Sequence, residues 1–229
     1  MTITSSFVER IKQRWMDHAP HLWWGDRIDA RFLVAEALSS LSEARLLDVG
    51  CNAGVMLSEV PESNFRVGID LSQEALWRAR KLNPSVPLVV ADMLVLPFKD
   101  SSFDVVLFCG MLEVLPREHK PNVLHEVVRV LCSGGQLHLT TLNRRYPRYR
   151  NSASLVTKEE LHKLLFPLFH LDIKGFNPFP PFPYFLPNRL LAHVPGIWRI
   201  LTLLMRWRVG IRYSCSFVVR ATKRSVEQG

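Results

Sequence analysis

Arg45-Leu-Leu-Asp-Val-Gly-Cys-Asn-Ala-Gly54 is the stretch whose reading decides the fold. Its apolar run ends in a carboxylate, Asp48. A tight turn follows, with glycines at positions 50 and 54, and the helix-like Val55-Met-Leu begins beyond it. A strand, a glycine turn and a helix in that order form the ligand crevice of an open α/β sheet at the carboxyl edge of its strands.

The same alternation continues outward. Strands are predicted at 45–49, 65–69, 88–91, 103–108 and 136–142, with helices between them at 72–82 and 121–131. In the second helix Leu124, Val127, Val128 and Leu131 fall at i, i+3, i+4 and i+7, and a proline is tolerated in its first turn. Strands alternating with helices predict a Rossmann-like, mostly parallel sheet covered on both faces. Past residue 142, Thr157 and Glu160 form a capping-box signature for a helix through Leu165. Two further strands, 170–176 and 213–221, bring the sheet to seven, the last strand antiparallel.

Upstream, residues 6–42 have helical spacing: Phe7, Ile11 and Trp15 on one face, then Ile28, Phe32 and Ala35 on a second. The chain is thus expected to be one domain: a helical N-terminal cap at 1–42, a core at 43–142, an acceptor cap at 143–210 and a last strand at 211–222.

Of the 229 residues 48% are apolar, which excludes a disordered chain, and the formal charge of +8 suits an anionic partner or surface. Four widely spaced cysteines, without a CxxC pair, fit reduced thiols of a cytoplasmic protein, and neither a metal site nor a disulfide framework is expected. The first residues lack a secretory signal, and no apolar run is long enough to span a bilayer.

The turn at 50–54 is a poor pyrophosphate cradle. A dinucleotide site takes G-x-G-x-x-G, and here those three positions hold Gly50, Asn52 and Val55. Asp70 closes the second strand at the spacing where a carboxylate accepts from ribose hydroxyls. Asp92 follows the third strand, placed to accept from an adenine amino group, and Gly134-Gly135 leads into the fifth.

This ordered set, from about Leu46 to Arg144, resembles the class I methyltransferases that use S-adenosylmethionine (SAM) and release S-adenosylhomocysteine (SAH). The resemblance implies that Asp48, Gly50 and Gly54 surround the methionine moiety, with Cys51 and Asn52 also among the cofactor-binding residues. It places Asp70 at the ribose, and Asp92 at the adenine with Leu71 and Met93 flanking the ring. Cys109 and Gly110 would line the reaction mouth. Asn52 stands where the family usually has glycine, and Cys132 where it usually has proline. The segments Asp48–Glu59 and Leu139–Arg144 resemble more narrowly the O-methyltransferases of ubiquinone synthesis, which act on lipid-tailed phenols. Glu113 matches a glutamate common after the fourth strand in that group, although the histidine that often follows it is Val114 here.

Apart from any resemblance, residues 176–208 suit a greasy acceptor. Phe179, Phe182, Tyr184 and Phe185 alternate with prolines, and Ile197, Ile200, Leu201 and Leu204 make one face of a helix over 196–207. Tryptophans and arginines flank that face, as in helices that rest on a bilayer surface, whereas a lid over a small acceptor or a subunit contact uses the same residues. His18, His21 and Tyr184 are candidate general bases, Glu113 is a further catalytic candidate, and His138 reads as a core histidine. The expected activity is methyl transfer to a small hydrophobic or lipid-linked acceptor, at oxygen before carbon or nitrogen. RNA methylation through the basic surface and a SAM-binding scaffold without turnover are the alternatives. Residues 109–116 lack the Asn/Asp-Pro-Pro-Tyr/Phe signature of many base methylases, which lowers the nucleic-acid option.

Overall fold

A computed structural model of the chain describes residues 33–146, 149–176 and 214–224. Seven strands form one sheet: β1 (Arg45–Val49), β2 (Phe65–Asp70), β3 (Leu88–Val90), β4 (Phe103–Cys109), β5 (Leu131–Leu142), β6 (Phe169–Phe176) and β7 (Ser216–Lys223). Their order is β3-β2-β1-β4-β5-β7-β6. The pairings from β3 across to β5 are parallel, and β7 runs antiparallel to both of its neighbours.

Four helices are described alongside: α1 (Val55–Glu59), α2 (Gln73–Leu82), α3 (Lys120–Val130) and α4 (Lys158–Leu165). Alternate residues of each strand point to opposite faces, so each face buries its own cluster. Leu47, Val49, Val106 and Phe108 meet Val123, Val127 and Val130 of α3 and Leu161 and Leu165 of α4. Leu46, Val105 and Leu107 meet Leu57 of α1, Leu76 of α2, and Val34 and Leu38 from a helical stretch at 33–38. The sheet is therefore covered on both sides, as the alternation of strands and helices predicts.

Most strand ends shift by no more than three residues from the sequence expectation, and two differences are larger. β5 starts at Leu131 instead of 136, because Phe103 pairs with Leu131 before Val105 pairs with Gln136 and residues 132–135 loop out between. And α4 and β6 lie within 143–210, the range assigned above to the acceptor cap. They are core elements: Leu161, Leu165 and Phe169 are wholly buried and β6 pairs along β7. Residues 177–210, the remainder of that range, lie outside the described residues, as do residues 1–32 of the N-terminal cap. Among the described residues no helix is long and apolar enough to cross a membrane.

Buried polar side chains tie the strand ends together. Asn64 accepts from the Ala44 amide (3.0 Å) and donates to the Leu41 and Pro61 carbonyls, fixing the start of β2 against that of β1. At the same edge Arg45 grips both carboxylate oxygens of Asp104 (3.0 and 2.9 Å), which lowers the Asp104 pKa to about 2. The amino edge is thus closed by polar staples, while the carboxyl edge carries the candidate site.

Candidate active site

The strand order places the site. The chain runs from β1 outward to β2 and β3, then returns to lay β4 on the other side of β1. Loops leaving β1 and β4 therefore diverge, opening a crevice at their carboxyl ends. The sequence candidates of the cofactor set all fall on loops or strand ends at this edge: Asp48–Gly54 at the end of β1 and in the turn beyond, Asp70 and Leu71 at the end of β2, Asp92 and Met93 after β3, Cys109 and Gly110 at the end of β4.

The β1 turn has the backbone its residues allow. Gly50 and Gly54 take φ values of +73° and +71°, where a side chain is strained, and each is also approached closely. A Cβ on Gly50 would run into the Met111 thioether, and one on Gly54 into the Asn83 amide. Asn52 is left-handed too, at φ +46°, and its Oδ1 accepts from the Ala53 amide (2.7 Å). Asparagine thus stands in for the family's glycine by the local bonding that makes this conformation tolerable for it. The amides of Gly50 and Cys51 both donate to the Ile69 carbonyl (2.9 Å each), so the turn is hung on the end of β2.

Asp70 completes that link. Its Oδ2 accepts from the Asn52 amide (3.0 Å) and its Oδ1 from the Ser72 amide (2.9 Å), fixing the carboxylate in orientation. A carboxylate has about four acceptor sites, so two stay available for ligand hydroxyls. Asp48 is buried at the end of β1, and Leu71 is 71% exposed at the rim. Asp92 is exposed and accepts from the Leu94 amide (2.9 Å). Its loop is pinned to α3, since Arg129 donates to the Leu96 and Phe98 carbonyls and Glu126 accepts from the Leu96 amide.

Cys51 is buried beside the carboxylates of Asp48 and Asp70. Burial first, then those two negative charges, push its thiol pKa far up, so it stays protonated and is no nucleophile. After β4, Glu113 is buried and accepts from the Thr141 hydroxyl of β5 (3.0 Å). His138 is buried within β5, and burial together with Arg220 lowers its pKa to about 4, which makes it a neutral core histidine. His18, His21, Tyr184 and the helix expected at 196–207 lie outside the described residues. Of the arginines after β5, Arg144 pairs with Glu160 (2.6 Å) and Arg145 with Glu159 (3.3 Å).

Residues 46–135 match the model of a methyltransferase domain family. This segment is a methyltransferase domain. The ubiquinone biosynthesis O-methyltransferase of Alkalilimnicola ehrlichii is 31% identical over 149 residues, which are 58% of this chain and 60% of that one. The tRNA (carboxymethyluridine(34)-5-O)-methyltransferase of Saccharomyces cerevisiae is 34% identical over 110 residues, 48% of this chain and 38% of that one. The chain therefore spans no more than three fifths of the length of these two relatives. A solved SAM-dependent methyltransferase of Thermotoga maritima, described as a possible histamine N-methyltransferase, has a TM-score of 0.64 at 20% identity. That likeness covers 95% of this chain and 100% of that one, and is one of fold.

The residues present fit SAM. The methyltransferase domain has a left-handed glycine turn at the crevice, a fixed carboxylate with acceptor sites to spare, and no third glycine for a pyrophosphate. Sequence reasoning missed Met111, Asn83 and Arg129, whose importance here comes from tertiary contacts. For Asn83 and Arg129 the one visible signal was a polar residue adjoining an apolar helix face.

Proposed function

We propose that this protein transfers a methyl group from SAM to an oxygen of a small hydrophobic or lipid-linked acceptor. The observation that carries the proposal is the Asp70 carboxylate, held by the amides of Asn52 and Ser72 beside the left-handed Gly50–Gly54 turn. Bound SAM supplies a methyl group on a sulfonium, open to in-line attack by the acceptor.

In this reading Asp48, Gly50, Cys51, Asn52 and Gly54 hold the amino-acid end, and Asp70 accepts from both ribose hydroxyls. Asp92 accepts from the adenine amino group, with Leu71 and Met93 against the ring. Cys109 and Gly110 border the transferring methyl. Fixing donor and acceptor in line removes most of the entropic barrier, so positioning carries most of the catalysis. A phenolic acceptor must still lose a proton, and Glu113, buried after β4, is the described candidate to take it. Oxygen is favoured because both curated relatives named above are O-methyltransferases by name. The apolar character of residues 176–208 favours a greasy acceptor and contact with a membrane surface through 196–207.

The test is transfer of labelled methyl from SAM to a prenylated catechol, a fatty-acyl phenol and bulk tRNA, run side by side. Label in an extractable phenol supports the proposal, and label in tRNA alone replaces it with the RNA reading. That second reading draws on the yeast relative and the +8 charge. It loses support at Arg144 and Arg145, whose partners are glutamates of α4. Tight SAM binding with no labelled product in any arm leaves the scaffold alternative.

A further inference from the structure

Lys120 is the least expected side chain near this site. It is the first residue of α3, where the helix dipole disfavours a cation, yet it is 1% exposed. Burying an ammonium costs free energy unless it is well bonded. Here its Nζ donates to the Leu112 carbonyl and to the Leu115 carbonyl (2.7 Å). Burial lowers its pKa, and the nearby Glu113 carboxylate acts the other way. The site is therefore costly to form, and its bonds all go to a single loop.

That loop, residues 110–116, leaves β4 at the crevice and is held at three further points. The Gly110 amide donates to the Thr140 carbonyl of β5 (2.9 Å), and Glu113 accepts from Thr141 (3.0 Å). Just beyond it, Arg117 pairs with Glu160 of α4 (2.7 Å), the same oxygen that Arg144 holds. Between these anchors the Met111 side chain reaches across from the β4 side of the crevice to lie against Gly50 on the β1 side.

The geometry points to Lys120 as a positioning residue for methyl transfer: its buried ammonium fixes the Leu112 and Leu115 carbonyls, and so sets Met111 against Gly50 and Glu113 against β5. The inference rests on the reading of this crevice as the SAM site, with the acceptor entering beside Cys109 and Gly110. The loop is then a prebuilt wall of the reaction mouth, and α3 transmits its placement from the core.

Amide hydrogen exchange on the full chain, wild type and Lys120→Met, with and without saturating SAH, tests this. Residues 111–115 are expected to exchange about tenfold faster or more in the variant, while β1 and β4 keep their protection. SAH should bind the variant within about threefold of wild type but no longer protect the loop. With a prenylated catechol as acceptor, kcat should fall while KM for SAM holds, the pattern of an interaction realised in the transition state. Unchanged exchange in the loop, or equal acceleration across the whole sheet, overturns the inference. Should Lys120→Met fail to fold, Lys120→Gln, which keeps a polar end but is too short to reach both carbonyls, takes its place, and an unchanged loop in that variant overturns the inference equally. A wild type that binds no SAH would instead sink the cofactor reading, and the exchange comparison without ligand would still decide what Lys120 holds.

Discussion

At Asn52 the backbone stands at φ +46° with the side chain bonded back to the Ala53 amide. Alanine lacks that bond and pays the left-handed penalty in full, so Asn52→Ala should lower stability by about 1–2 kcal/mol, while Asn52→Gly should be near neutral. Urea unfolding of the three proteins checks this, and equal losses for alanine and glycine would point to a side-chain role instead. Asp70 is the second decisive residue. Asp70→Ala removes the acceptor proposed for the ribose and also orphans the Asn52 and Ser72 amides. SAM affinity by calorimetry should fall by about 1.5–3 kcal/mol, the range for losing a charged hydrogen-bond partner. Both positions were legible in the sequence because their signals are local: a carboxylate ending a strand, and a turn rich in glycine and asparagine. Met111 and Lys120 carry no such signal. One matters through a contact with Gly50 and the other through carbonyls five and eight residues earlier.

Among the elements, α4 shows how a local signature becomes tertiary. Thr157 accepts from the Glu160 amide, and Glu160 Oε2 accepts from the Thr157 amide, closing the capping box that the sequence spells out. What the sequence does not spell out is that Glu160 Oε1 also receives Arg117 and Arg144, joining the loops after β4 and β5 to the start of the helix. Thr157→Ala should cost about 1 kcal/mol, the usual worth of an N-cap hydroxyl. Glu160→Ala takes the cap and both ion pairs together and should cost more, although the pairs are partly exposed and each is worth little alone. Thermal melts of the two variants rank these effects, and an equal loss would mean that the arginines add nothing. The start of β5 eluded the sequence for a related reason. Its pairing to β4 at Leu131 is separated from the rest by the looped-out residues 132–135, a register jump that only the partner strand defines.

For the whole molecule, the parallel order of the first five strands follows from alternation and right-handed crossovers, and the crevice between β1 and β4 follows from the order. The antiparallel placement of β7 between β5 and β6 puts His138 in the middle of the sheet, paired across to Leu107 on one side and Arg220 on the other. There the imidazole is buried, with its pKa lowered from the ordinary 6.5 to about 4. Above pH 6.5 the side chain is neutral both folded and unfolded, and contributes nothing to pH dependence. Between 6.5 and 4 the unfolded chain takes up a proton that the folded one refuses, so stability falls as the pH falls, and it levels off below the folded value. The loss over that window should be about 2–3 kcal/mol. Asp104 also favours the folded state through a lowered pKa, but it titrates from its ordinary 3.8 down to about 2, below most of this range. Urea unfolding at pH 7 and pH 4.5 should therefore show a steep acid loss in the wild type that His138→Gln flattens. If the glutamine variant loses as much as the wild type between those two pH values, the imidazole is not the group that carries the acid sensitivity, and the burial that β7 provides does not control its charge.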